Sequence, residues 1–257
     1  MNRRINRIAE MIVASGKIVA LTGAGVSTES GIPDFRGPQG LWSLIDPKFS
    51  SIEFFMDHPE EFWYFMLGVI ELVRSAQPNM AHYALAELER MGKLSAIITQ
   101  NIDGLHFKAG SRNVIELHGD LRTVRCTKCR RVMFIDEALS IIKTGIFPPK
   151  CRECDSLLKF NVVLFNEPIP QSALFKAYAE SESCDLMISV GTSLQVYPAA
   201  HLPLLAKRQG AKLAIINLEP TPLDDMADVV VRAKAGEVLM AIVERVRKLE
   251  SKSSWLI

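Results

Sequence analysis

Four cysteines fall into two pairs, Cys126 with Cys129 and Cys151 with Cys154, with 21 residues between the pairs. Two C-x₂-C knuckles bring together four thiolates, the donor set of a tetrahedral zinc site. Four sulfurs complete the tetrahedron and leave no position for water, so the metal expected here is structural. Paired disulfides are the alternative, but they suit a cytosolic chain poorly, and a redox dithiol has no need to come twice. Cys184 is left over and reads as a buried, inert thiol. Arg122, Arg125, Lys128, Arg130 and Arg131 make the first knuckle basic. In a chain of net charge +1 they read as a solvated face, and no nucleic-acid binding is expected.

A second group able to do chemistry begins at Gly23. Residues 18–21 are a short apolar, partly β-branched run, and Gly23 and Gly25 follow at once. Small residues there let the backbone bend and approach a ligand, while Ser27, Thr28, Glu29 and Ser30 offer caps to the next helical turn. A strand feeding such a turn is a phosphate cradle, because free amides at a helix start attract an anion. An ordinary strand-to-helix turn explains the same residues. The dinucleotide fingerprint asks for a third small residue where Thr28 stands, and for an acid about 20 positions on, where LIDPKFSS is no strand. The tail GIPDFRG tips the balance, since Asp34, Phe35 and Arg36 set an aromatic between an acid and a base and read as a lid over a nucleotide.

Two more apolar runs, Leu94–Thr99 and residues 114–117, end in polar clusters, QNIDG and HGD. Ligands of open α/β sheets sit beyond the carboxyl ends of the strands, so Gln100, Asn101, Asp103 and His118 are expected to converge on the pocket opened by Gly23 and Gly25. Taken singly, Asn101 and Asp103 read equally well as turn caps and His118 as a hydrogen-bonded core histidine. Their joint position at strand ends favours a site.

Positioning these groups takes a parallel sheet. Residues 162–165 are expected to resume it after the cysteine module, and residues 186–190, 213–216 and 229–231 supply further strands. Helical intervals between them indicate βαβ crossovers. The cysteine module is thus an insert in a doubly wound domain. Ile5, Ile8, Ile12 and Val13 follow helical spacing near the N-terminus. Asp57 and Glu60 read as a capping box, with Pro59 in the first turn of a helix that turns Phe62, Phe65, Met66, Val69 and Val73 to a core or small-domain interface. A further helix over residues 81–91 stops at Gly92, and a last one from about Glu237 turns Val238, Leu239, Ile242, Val246 and Leu249 inward. Residues 186–206 carry no Asp, Glu, Lys or Arg, but Gly191, Pro198 and Pro203 within them argue for strand, loop and helix start rather than a membrane span. No signal-peptide core is expected, and the expected compartment is cytosolic.

With GAGVSTESGIPDFRG, TQNIDGLH, ELHGD, both cysteine pairs, GTSLQVYPAA and NLEPTP in order and suitably spaced, the chain closely resembles the sirtuins, NAD-dependent protein deacylases. The resemblance implies an α/β fold, a Rossmann-like doubly wound parallel sheet with a small domain made of the four-cysteine zinc module and a helical insert. The large domain would comprise residues 1–37, 76–121 and 160–257, the helical insert 38–75 and the zinc module 122–159. It implies NAD and zinc as cofactors. NAD would meet Gly23, Ala24, Gly25, Ser27, Asp34, Phe35, Arg36, Gln100, Asn101, Asp103, Gly191, Thr192, Ser193, Asn217 and Glu219. His118 would be the general base, with Asn101 beside it in catalysis. Acetylated proteins would be the partners, bound as an extended peptide along Val162, Val163, Phe165 and Val196. The implied reaction frees nicotinamide, unmodified lysine and O-acetyl-ADP-ribose.

That chemistry needs a base near pH 7, for which imidazole is suited with a midpoint of roughly 6 to 7. It also needs water excluded, a task for the segment carrying Phe35. Asp103 would hold the leaving carboxamide. One departure is plain: Phe165, Asn166 and Glu167 stand where the family usually has FGE, and Asn is the residue after glycine most tolerant of positive φ. Sirtuins that favour negatively charged acyl groups carry a Tyr and an Arg three apart after the lid; residues 41–57 have neither, so acetyl or longer apolar groups are expected over succinyl. A mono-ADP-ribosyltransferase would use the same pocket. A binding module with a vestigial pocket would not need Asn101, Asp103 and His118 together, and a dehydrogenase would need the missing ribose acid.

Overall fold

The computed structural model describes residues 1–34, 40 and 46–253. Phe35 and Arg36 lie outside the described residues, as does part of the 41–57 segment read for acyl preference. In chain order the helices are α1 (Asn2–Ala14), α2 (Ile52–Asp57), α3 (Pro59–Ser75), α4 (Met80–Arg90), α5 (Leu105–Lys108), α6 (Ile135–Lys143), α7 (Gln171–Ser183), α8 (Leu202–Arg208) and α9 (Ala235–Ser253). The strands are β1 (Ile18–Thr22), β2 (Leu94–Thr99), β3 (Val114–Glu116), β4 (Gly119–Cys126), β5 (Val132–Phe134), β6 (Leu158–Val162), β7 (Leu186–Val190), β8 (Lys212–Ile216) and β9 (Val229–Val231).

Six of these strands form a parallel sheet in the order β3-β2-β1-β7-β8-β9. β1 and β7 are buried throughout, as strands at the centre of a two-faced sheet must be. Alternation splits β1 between two cores. Ile18 and Ala20 join Ile8, Leu85, Val238 and Ile242 under α1, α4 and α9. Val19 and Leu21 join Ala177, Leu202 and Ala206 under α7 and α8. The chain winds outward to β3 on one side of β1 and to β9 on the other, so the direction of winding reverses between β1 and β7. Loops leaving the carboxyl ends of those two strands part there and open a crevice.

A second, antiparallel sheet has the order β5-β4-β6. It corrects the expectation that residues 162–165 resume the parallel sheet. The strand is β6, it begins at Leu158, and it pairs with β4 through Val124 with Phe160, Arg125 with Lys159 and Cys126 with Leu158. The second cysteine knuckle delivers the chain directly alongside the first, which leaves no route back to the parallel sheet at that point. Beyond Val162 the backbone is held by other segments: Val163 N–H donates to His118 O (2.8 Å), and Phe165 pairs with Ser50 and Ile52.

β4 itself carries no clear strand signal, because charged residues interrupt its apolar positions. A bulge between Gly119 and Val124 further breaks its pattern. Asp120 Oδ1 holds that bulge by accepting from Arg122 N–H (2.8 Å) and Thr123 N–H (3.0 Å). The capping box expected at Asp57 and Glu60 is also corrected. Asp57 ends α2, and His58 caps α3 without a side-chain hydrogen bond, leaving Pro59 to start the helix.

The aromatic stripe of α3 lies on this second sheet. Trp63, Phe62 and Phe55 are fully buried, Trp63 packs on Phe160 at 4.3 Å between centroids, and its indole N–H donates to Leu158 O (2.8 Å). At roughly 1.5–3 kcal/mol for each large apolar side chain buried, this contact joins helical insert and cysteine module into one core. Among the described residues no helix is long and apolar enough to cross a membrane.

Candidate active site and metal centre

Backbone crowding at the sheet's reversal point builds the floor of the crevice. Gly25 N–H donates to Gly191 O (2.9 Å), and the two loops cross so closely that a Cβ on Gly25 would stand 2.9 Å from Gly191 Cα. Gly191 has φ +58°, and a Cβ there would stand 2.4 Å from Val26 N. Gly191→Ala is therefore expected to cost of order 1–3 kcal/mol in backbone strain, before the clash with Val26 is counted. A urea midpoint equal to that of the parent would show that the crossing is looser than this. Thr28, in place of a third small residue, hydrogen-bonds back to Gly25 O (3.0 Å). The turn is tolerated because short 3₁₀ segments, Ala24–Val26 and Thr28–Ser30, replace a helix packed on the sheet.

Above this floor the polar groups at the strand ends form one hydrogen-bonded set. Asn101 Nδ2 donates to Gly23 O (3.2 Å) and Ser27 Oγ (3.1 Å). Ser27 donates in turn to Asp103 Oδ2 (2.7 Å), while Asp103 Oδ1 accepts from Leu105 N–H (2.8 Å). Gln100 Nε2 reaches across to Thr192 Oγ1 (2.9 Å), tying the end of β2 to the loop after β7. His118 sits between β3 and β4 with Nδ1 3.0 Å from Gln100 O. That carbonyl only accepts, so Nδ1 carries the proton and Nε2 is left with a lone pair. Burial pushes the imidazole below its ordinary value, with the hydrogen bond to Gln100 O opposing the shift.

Gln100, Asn101, Asp103 and His118 thus converge with Gly23, Gly25, Ser27, Gly191 and Thr192. Ala24 and Ser193 are half-buried beside them in the same two loops. Asn217 follows β8 and donates to the carbonyl of the exposed Glu219 (2.8 Å), outside that hydrogen-bonded set. Val162 is buried, Val163 and Val196 are half-buried, and Phe165 is exposed.

Sequence reasoning missed a layer beneath the set. His106 Nε2 lies 3.0 Å from Thr22 Oγ1, which donates to Thr99 Oγ1 (2.9 Å); Thr99 Oγ1 also accepts Asn101 N–H (3.1 Å). His82 Nδ1 accepts from Asn79 N–H (3.3 Å), and Nε2 lies 3.5 Å from Ser27 Oγ. Burial pushes His82 down to about 4, against the pull of Asp103, and His106 down to about 3. Both rings are neutral props under the crevice at pH 7. The available signal was His82 on a helix face otherwise made of Ala81, Ala84 and Leu85.

Asn166 answers the departure noted in the sequence. It holds φ +68°, and its Nδ2 donates to both oxygens of Glu53 (3.0 and 3.1 Å). The turn keeps its left-handed residue and gains a tie to α2.

The four cysteine sulfurs lie within 4.8 Å of one another. The Cys126–Cys154 and Cys129–Cys151 sulfurs are 3.4 and 3.7 Å apart, close to the edge of about 3.8 Å that a tetrahedron with zinc–sulfur bonds of about 2.3 Å requires. Each knuckle turns through a left-handed residue just after its second cysteine, Arg130 (φ +63°) and Asp155 (φ +55°). The donor set fits zinc and leaves no open ligand position. Cys184 is apart from it and buried, with its thiol pushed up to about 11 by burial.

Residues 23–198 match the family model described as "Sir2 family". The NAD-dependent protein deacetylase of Saccharolobus solfataricus is 50% identical over 94% of this chain and 97% of its own length. NAD-dependent protein deacetylase 1 of Pyrobaculum aerophilum is 49% identical over 95% of each. A solved Sir2 variant with deacetylated p53 peptide and 3′-O-acetyl ADP ribose superposes with a TM-score of 0.88, at 42% identity over 93% of this chain and 96% of that one.

Proposed function

The chain belongs to the Sir2 family, and from that membership we infer that it is an NAD-dependent protein deacetylase. It removes acetyl groups from protein lysines and gives nicotinamide, free lysine and O-acetyl-ADP-ribose. The observation that carries the reading is the set made by Asn101, Asp103, Ser27 and His118 around the glycine crossing. The glycines fit the ligand, because only a backbone without Cβ atoms lets two loops meet at the reversal point and leave their edge open to a pyrophosphate.

When bound, NAD supplies the ribose carbon at which nicotinamide is exchanged for the acyl oxygen. His118 takes the proton of a ribose hydroxyl at Nε2, since Nδ1–H is committed to Gln100 O. Asp103, held by Ser27 and Leu105, orients the nicotinamide carboxamide, and Asn101 fixes the loop beside it. Ala24, Asp34, Phe35, Arg36, Ser193, Asn217 and Glu219 complete the NAD contacts in this reading. Acetylated protein segments bind as an extended strand between residues 162–165 and the loop at Val196, with acetyl preferred to succinyl. The domain division read from the sequence belongs to the same proposal. Since β4 and β6 cross its boundaries, the cleft runs over strands that both parts share. In this reading the protein is cytoplasmic, and its near-neutral charge speaks against nucleic-acid binding.

The test is nicotinamide release from NAD that depends on an acetyl-lysine peptide. Asp103→Asn is expected to weaken inhibition by added nicotinamide on the order of tenfold, the loss of one hydrogen bond to a charged acceptor. Release without peptide deacetylation would favour ADP-ribosyl transfer, and an unchanged inhibition curve would remove Asp103 from the carboxamide.

A further inference from the structure

Lys159 is a buried cation that neither the metal centre nor the NAD reading uses. It lies in β6 with its side chain 5% exposed. The three N–H bonds of its ammonium meet three acceptors: Phe160 O (3.2 Å), Val162 O (2.7 Å) and Glu167 Oε2 (2.8 Å). Glu167 Oε2 also accepts from Leu164 N–H (3.0 Å), and Glu167 N–H donates to Leu164 O (3.0 Å).

Three backbone groups of two consecutive peptide units are therefore pinned. Val162 C=O is held by Lys159, Leu164 N–H by Glu167, and Val163 N–H between them by the carbonyl of His118 (2.8 Å). The middle bond belongs to the general base. Any displacement of the outer two moves Val163 against His118. Asn166 anchors the same turn from its other side through Glu53.

We propose that Lys159 and Glu167 are positioning residues for the acetylated peptide, fixing the register of residues 162–164 against His118; this rests on the deacetylase reading. Stability does not account for the pair, because apolar residues of the same volume commonly replace a buried ion pair without loss. An ion pair supplies direction, in fixed bonds to named peptide groups. Burial works against the charged form of Lys159, and Glu167 is the first group to oppose it.

Steady-state kinetics of the full chain test this, varying peptide and NAD in turn. Lys159→Met is expected to raise the peptide KM on the order of tenfold or more, with kcat and the NAD KM within about twofold, because the lost contact orients only one substrate. Lys159→Arg, which keeps charge and donors, should recover most of it, and Glu167→Gln should fall between. If Lys159→Met does not fold with Glu167 unpaired, the double variant Lys159→Met, Glu167→Gln carries the same measurement without a lone buried charge. An unchanged peptide KM in a folded variant overturns the proposal, as does a parallel rise of both KM values with a lower melting temperature. Either result leaves the wild-type reaction standing. A wild-type protein that releases no nicotinamide on acetyl-peptide sinks the deacetylase reading instead.

Discussion

His118→Ala is expected to lower deacetylation by about 10²–10⁴-fold, the contribution of a well-placed general base, and to leave a calorimetric NAD titration unchanged. The ring's hydrogen bond to Gln100 O holds the residue in place and is worth about 1 kcal/mol, too little for its loss to unfold the domain. The base acts only when neutral, so activity is lost as pH falls through its folded pKa. Burial lowers that pKa from 6.5, against the hydrogen bond to Gln100 O, and the acid limb of kcat/KM should lie below the ordinary imidazole value of 6.5. Normal turnover in the variant would remove His118 from the mechanism. An acid limb above 6.5 would mean that the titrating group is another one.

Removing the metal is expected to have the other large effect. Cys151→Ala, at a buried ligand, or prolonged chelation should abolish activity and release one zinc per chain. Structural zinc contributes on the order of 10 kcal/mol or more to the folding of small modules at neutral pH. Here part of that is shared with the Trp63 and Phe160 contact, so the expected result is a split transition. Amide exchange should rise across β4, β5 and β6 while β1, β2 and β7 stay protected. A zinc-free protein that kept its melting temperature and turnover would show that the four sulfurs have no structural part.

The ease with which each element is legible follows its burial. β1, β2 and β7 are predominantly apolar runs because both their faces are covered, and turn residues bound them sharply. β4 is different. It alternates basic and apolar residues around a bulge, and its pairing with β6 is imposed by sulfurs rather than by pattern. Asn101, Asp103 and His118 are legible because a strand's carboxyl end is a place that sequence can mark. His82 and His106 are not, since a histidine among helix residues looks the same whether its ring faces water or the floor of a crevice. Lys159 is hidden for a related reason, as lysine is ordinarily a surface residue. Asn166 can be anticipated because its tolerance of positive φ is a property of the residue itself.

β4 starts immediately after His118 and ends on Cys126, and this bears on where the chain can change in length. Past the bulge, Val124, Arg125 and Cys126 pair one for one with Phe160, Lys159 and Leu158. One residue gained or lost there turns Cys126 to the opposite face of its sheet and takes a sulfur out of the metal centre. Gly145 and Ile146, exposed between α6 and the second knuckle, carry no such phase. Added chain at that point costs only a slowly growing closure entropy. Insertions, tags or grafted loops should be accepted at Gly145 and refused within β4.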